Sequence, residues 1–282
     1  MRTAVWLALL AACGSGCDRL ILVGRDEAVD ATPPHDDAPG GTAPTDNFAL
    51  DGSGADVADS GLVPLAVPWS TGFEGQPGDS WMPGDPSCYA TGGASFKVVT
   101  SPVHSGQHAA AFTVDTAVYS PSQTRCQKQG VLPTSAIYGA WYYVPAHATN
   151  TGNWNLLHFQ GADVADATIA HGLWDVSLVN ASDGTLHLAV YDFLRMRLLQ
   201  TSVAVPLGAW FHLEVSLRRA ADATGQFMLS KDGQVALNLT GLTTDDSRWG
   251  QWFVGNFATA ISPASSTIYV DDVTIAAASS GP

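Results

Sequence analysis

Glutamate is scarce in this chain: among 282 residues it occurs only as Glu27, Glu74 and Glu214. A retaining glycoside hydrolase needs two carboxylates facing each other across the scissile bond, and no strand-like segment carries such an array. The shortage argues strongly against a retaining hydrolase, while an inverting pair of Glu214 with a distant aspartate stays open. Basic residues are scarce as well: 12 Lys and Arg stand against 26 Asp and Glu, a formal net charge of −14. No basic stripe exists to displace phosphate counterions, so nucleic acid is not an expected partner. There is no Ser elbow for Ser-His-Asp catalysis and no His/Cys spacing of a zinc site. No segment holds a helical period beyond two turns, and no internal repeat is visible.

What the chain does have begins at its N-terminus. Arg2 precedes an apolar run from Ala4 to Ala12 that is too short to span a bilayer as a helix of about 20 residues. The run ends in Leu10-Ala11-Ala12-Cys13. This tetrapeptide resembles the bacterial lipobox. The resemblance implies a signal peptide over residues 1–12, lipidation of Cys13, and a lipid-anchored protein of the bacterial cell envelope. An ordinary secretory signal with an incidental cysteine is the alternative. Gly14 rather than aspartate follows Cys13, which points to the outer membrane. Cys17 is either a free thiol or the lipidation site itself, and Asp18 after it would reverse that sorting.

Residues 13–67 carry few large apolar side chains and no periodicity, as in Thr32-Pro33-Pro34-His35-Asp36-Asp37 and Asp51-Gly52-Ser53-Gly54. Such a segment cannot bury enough apolar surface to offset its ordering entropy. It reads as a disordered acidic tether that holds more than half of the net negative charge and sets reach from the membrane.

From residue 68 to 278 the apolar pattern alternates with period two through many short segments. Turn signals separate them, and residues 279–282 form a tail. Asp232-Gly233 between two apolar runs predicts a hairpin. Many short strands at this spacing mean an all-β sandwich or barrel. Thr71-Gly72-Phe73-Glu74-Gly75 opens the domain, and Tyr269-Val270-Asp271-Asp272-Val273 closes it. Between them lie Gly208-Ala209-Trp210-Phe211-His212-Leu213-Glu214-Val215 and Lys231-Asp232-Gly233. In order and spacing these resemble concanavalin A-like and laminin-G-like jelly rolls, including carbohydrate-binding modules and polysaccharide lyases. The expected fold is thus a two-sheet antiparallel jelly-roll sandwich. Within it Cys88 and Cys126 are the only cysteines, and an oxidising envelope makes a disulfide between them the default. In the folds resembled, the first and last strands pair and their carboxylates often hold a structural calcium, so Glu74, Asp271 and Asp272 are the candidate ligands. Strict alternation sends Asp271 and Asp272 to opposite faces, leaving one of them to face the ion.

Four further groups could carry chemistry. In Trp154–Gln160, strict alternation puts Trp154, His158 and Gln160 on one face, either as a sugar site or as core packing. His187, Tyr191, Arg195 and Arg197 share a second face, which suits a uronic acid or sulfated sugar. Its alternative is an internal salt bridge to Asp192 or Glu214. His212 and Glu214 lie on the polar face of Trp210–Arg218, and Tyr143 is a further candidate. A lyase needs a group that neutralises a uronate carboxylate, a base and a proton donor. His158, Gln160, Tyr191 and Arg195, with Tyr143, fill those roles if their strands are neighbours. The sequence leads to a surface-tethered carbohydrate-binding protein. A lyase on a uronic-acid-containing polysaccharide is the alternative, and a structural or adhesive envelope lipoprotein the second. A polysaccharide and, through the lipid anchor, a membrane are the expected partners.

Overall fold

The computed structural model describes residues 64–75, 80–162, 170–245, 247 and 249–278. The expected signal peptide, lipidation site and nearly all of the tether lie outside the described residues.

The described chain is built from strands. In chain order these are β1 (Trp69–Thr71), β2 (Cys88–Thr91), β3 (Ser95–Val99), β4 (Ala109–Asp115), β5 (Ser122–Gly130) and β6 (Ser135–Tyr143). Then come β7 (Thr149–Asn150), β8 (Trp154–Ala162), β9 (Ala170–Asn180), β10 (Leu186–Asp192), β11 (Arg197–Ala204) and β12 (Trp210–Arg218). The last are β13 (Gly225–Lys231), β14 (Gln234–Leu242), β15 (Trp249–Ala258), β16 (Ile261–Ser262) and β17 (Ser265–Ala277). An eight-stranded sheet runs β14-β13-β12-β6-β17-β4-β3, with β1 also paired to β17, and a seven-stranded sheet runs β11-β10-β9-β8-β15-β5-β2. β7 and β16 form a small separate ribbon. All strand pairs are antiparallel, and the first and last strands meet through Thr71 opposite Val273. The result is the jelly-roll-like sandwich.

Alternation explains the packing. In β12, Phe211, Leu213, Val215 and Leu217 are fully buried while His212, Glu214 and Ser216 between them are half-buried. That is the signature of a strand with one face on a core. Phe227, Trp174, Tyr138, Phe159 and Trp252 join the two sheets in one apolar cluster. Three core indoles find partners: Trp81 Nε1 donates to the Gln127 carbonyl, Trp154 Nε1 to Asn256 and Trp174 Nε1 to the Thr244 carbonyl, whereas Trp252 Nε1 has none among the described residues. At the β13–β14 turn Asp232 and Gly233 both have positive φ, 50° and 77°, as a two-residue hairpin turn requires.

Two tethers hold the periphery. The Cys88–Cys126 disulfide forms, joining edge strand β2 to β5 across a separation of 38 residues. Changing both cysteines to serine is expected to lower stability by about 2–4 kcal/mol, measured by urea unfolding. The second is Arg219. It donates to the Asp245 carboxylate at 2.5 Å, to the Ser247 carbonyl at 2.8 Å and to the Leu132 carbonyl. Asp245 is 3% exposed. Replacing Arg219 by methionine leaves that buried carboxylate without its cation, held only by the Ser247 amide and hydroxyl, and a loss of about 3 kcal/mol is expected in the same assay.

Candidate functional site

The outer face of the seven-stranded sheet carries polar side chains that are recessed rather than solvated. β5 alternates Gln123, Arg125, Gln127 and Gln129 outward with Thr124 and Cys126 inward. β15 presents Gln251, Phe253 and Phe257 on the same face, and Trp252 and Val254 to the core. β9 adds Asp175 and Ser177, and β10 adds His187 and Tyr191.

β8 lies between β9 and β15 and departs from strict alternation. Asn155 pairs with Ser177 and Leu157 with Val176, so β8 holds one residue more than its partner here. Against β15 the register also shifts here, but in the opposite sense: β15 advances from Val254 to Phe257 while β8 moves only from Leu157 to Asn155, so the extra residue lies in β15. The bulge in β8 sends both Leu156 and Leu157 into the core, and Asn155 and His158 share the outer face. The expectation that Trp154 shares a face with His158 is therefore corrected. Trp154 is fully buried in the core and offers no surface to a sugar.

His158 is the centre of this face. Its Nδ1 lies 2.5 Å from Oδ1 of Asp175, which is 1% exposed. Phe193 and Phe253 flank the ring at 5.8 and 5.5 Å between centroids. The carboxylate occupies Nδ1 and leaves Nε2 as the available nitrogen. One strand beyond β15, Arg125 donates to Oδ1 of Asn155 at 2.6 Å. Its guanidinium carbon lies 5.5 Å from the centroid of Phe253 and 4.7 Å from that of Phe257. Gly255 lies opposite Arg125, and a Cβ there would come within 2.8 Å of the Arg125 Cα and 3.2 Å of its Cγ. A Cβ would also run into the Thr124 carbonyl, so the close approach of the two backbones requires glycine here, and Arg125 lies over it. Phe253 thus separates the guanidinium from the imidazole while touching both.

Beside them, Gln251 Nε2 donates to Oε1 of Gln127 at 3.1 Å and of Gln129 at 3.0 Å. Gln160, opposite Gln251 in register, extends this carboxamide row. Arg125 is the one guanidinium among the described residues of the face.

The other expected site residues are distributed as follows. His187 and Tyr191 stand on this face toward its β10 edge. His187 Nδ1 lies 3.2 Å from the Thr201 carbonyl, and the Tyr191 hydroxyl is turned to the Met196 sulfur at 3.9 Å. Arg195 and Arg197 do not present a face to a ligand: both pair with the fully buried Asp192, at 3.2 and 3.1 Å. Arg195 also donates to the Thr243 carbonyl. The arginine that faces outward beside His158 is Arg125. Tyr143, His212 and Glu214 lie on the other sheet, in β6 and β12, and do not join His158.

The three carboxylates expected to hold calcium are brought together, but around a loop. Glu74 accepts from the Gln107 and His108 amides and from His108 Nδ1. Asp271 accepts from the amides of His104, Ser105 and Asp272. Asp272 meets His104 Nδ1 at 2.7 Å and the Ser105 hydroxyl at 2.8 Å. Asp272 has a positive φ of 46° at a bulge in β17. This is why Asp271 and Asp272 do not diverge as alternation predicts. Every oxygen of the three already meets a protein donor, and each carboxylate keeps a further lone pair. Among the described residues no group of three or more His, Cys, Asp or Glu is arranged to hold a metal ion. Burial pushes the Asp271 carboxyl up to about 6, and hydrogen bonds from Gln107 and His108 hold Glu74 below its ordinary value.

The fold has known counterparts. The endo-β-1,4-glucuronan lyase of the fungus Trichoderma reesei superposes with a TM-score of 0.54 at 16% identity, over 74% of this chain and 95% of its own. The marine alginate lyase of Aplysia kurodai gives 0.51 at 12%, over 76% and 100%. A cellulose-induced protein gives 0.50 at 14%, over 74% and 97%. At these identities the likeness is one of fold. No protein-family model matches the chain, and no curated protein matches it in sequence.

Proposed function

We propose that this protein is a polysaccharide lyase that cleaves a uronic-acid-containing polymer by β-elimination. The observation that carries the reading is the His158–Asp175 pair set beside Arg125 and Asn155 on one recessed face. Arg125 binds the uronate carboxylate as a bidentate partner, with Asn155 fixing the fork. Neutralising that charge makes the adjacent C5 proton more acidic and stabilises the carbanion that follows. His158 Nε2 removes the proton, with Asp175 holding the ring and supporting the imidazolium. The C5 electron pair forms the C4–C5 double bond, the C4–O bond breaks, and the leaving oxygen takes the proton back from the imidazolium. Gln160, Gln251 and Tyr191 line the approach for neighbouring sugars.

Binding without cleavage would need neither a buried carboxylate behind a histidine nor a single guanidinium so placed. Fold kinship with glucuronan and alginate lyases supports the same reading. The protein would act from the bacterial envelope, lipidated at Cys13. The test is incubation of the full chain with glucuronan, alginate and other polyuronates. Rising ultraviolet absorbance from the unsaturated uronate is expected; saturation binding with no new absorbance would overturn the reading.

A further inference from the structure

The opposite side of the sandwich carries a second constellation that the elimination chemistry does not use. Tyr269, Tyr143 and Trp210 stand in register on three neighbouring strands, with ring centroids 5.9 and 5.5 Å apart. Their planes lean at 77° and 56° to one another, so apolar faces alternate with polar tips along the row. One step down the strands, Trp141 is stacked between two imidazoles, His104 at 3.7 Å and His212 at 5.0 Å. The loop hydrogen bonds to Asp271 and Asp272 fix His104 there, so the stack is built before any ligand arrives.

A further step leads to a notch at Gly139. A Cβ there would meet Thr274 Oγ1 at 3.0 Å, His212 Nε2 at 3.2 Å and Glu214 Cγ at 3.6 Å. No described residue hydrogen-bonds the side chains of Thr274, His212 or Glu214, nor the Trp141 and Trp210 indoles or the Tyr143 and Tyr269 hydroxyls. Burial lowers the His212 pKa, so at neutral pH its imidazole both donates and accepts. All of these residues are half-buried, neither sealed in a core nor waving in solvent.

We propose that this outer face of the eight-stranded sheet is a separate binding site for a neutral, hydroxyl-rich polysaccharide. Rings supply planes for the C–H faces of sugars, and the unpaired tips and the Gly139 notch supply donors and acceptors for hydroxyls. The balance of charge disfavours uronate: Glu214, Asp232 and Asp272 border the face, Lys231 is committed to Asp232 at 2.7 Å, and the further cation in the row, Lys97, stands two strands beyond Tyr269. The face would hold the protein on one polymer while the opposite sheet works on another.

The test is affinity electrophoresis of the full chain through gels containing hydroxyethylcellulose, galactomannan, dextran or alginate, with His158→Gln, Arg125→Met, Trp210→Ala and Glu214→Ala as variants. Glu214→Ala removes an unpaired, half-buried carboxylate and keeps the site testable if Trp210→Ala fails to unfold cooperatively. Retardation in at least one neutral gel is expected for the wild type, His158→Gln and Arg125→Met, with at least a tenfold loss of affinity in Trp210→Ala and a smaller loss in Glu214→Ala. Both latter variants should keep wild-type elimination activity, if any is present. No retardation in any neutral gel would overturn the proposal, as would retardation that Arg125→Met abolishes and Glu214→Ala and Trp210→Ala leave intact. Alginate retardation that survives Arg125→Met but not Trp210→Ala would overturn the neutral class. Failure of the elimination assay alone leaves this site standing, since its readout is mobility.

Discussion

Replacing His158 by glutamine is expected to lower turnover on a polyuronate by about 10³- to 10⁴-fold, at the upper end of what a positioned general base contributes. Glutamine is the better probe than alanine. Asp175 is 1% exposed and its partner is His158 Nδ1, so alanine would strand a buried carboxylate and confuse a catalytic loss with a folding one. The glutamine amide can still donate to Asp175. Stability should stay within about 1 kcal/mol of wild type by urea unfolding, while absorbance of the unsaturated product falls to near background. KM should change little, because the imidazole acts on a proton rather than on the polymer's charge. Turnover within tenfold of wild type would remove His158 from the role of base.

The second large effect is expected at Arg125. Methionine there keeps the stem packed between Phe253 and Phe257 and removes the guanidinium that lies 5.5 and 4.7 Å from those rings. The carboxylate then loses its partner in the ground state and, more so, as charge develops at C5. A fall in kcat/KM of roughly 10²- to 10³-fold is expected, shared between a higher KM and a lower kcat. Arg125→Lys should recover only part of it, because an ammonium restores the charge but not the two-pronged geometry. A lysine variant with full activity would mean that the carboxylate is held elsewhere.

Much of the scaffold can be read from the chain. The alternation in β12, the Asp232-Gly233 hairpin and the single cysteine pair of the domain are local signals, and local rules suffice for them. The site is less legible because it depends on which strands become neighbours. β5, β8 and β15 assemble His158 and Arg125 across more than a hundred residues of sequence, and nothing in any one strand announces the others. β5 is hard to see even as a strand. Ser122–Gly130 has almost no apolar residue besides Cys126, so its alternation of Gln123, Arg125, Gln127 and Gln129 is a signal written in polar residues alone. Asp175 hides in a run of core residues between Trp174 and Val176. Arg195 and Arg197 are conspicuous in a base-poor chain, but Asp192 claims both. The bulge in β8 is masked because the two residues it turns inward, Leu156 and Leu157, are alike.

That bulge also bears on how relatives of this chain would be recognised. An extra residue between Asn155 and His158 leaves both on the outer face, as would a regular strand with a single residue between them. N-x-x-H in one sequence and N-x-H in another can therefore describe the same pair of side chains, and an alignment that refuses a gap at Leu156 or Leu157 will set His158 against a core residue. Loss of either leucine would be felt as a core cavity rather than as a misdirected imidazole. Deletion of one of the two leucines changes thermal tolerance sooner than it changes which groups share the outer face.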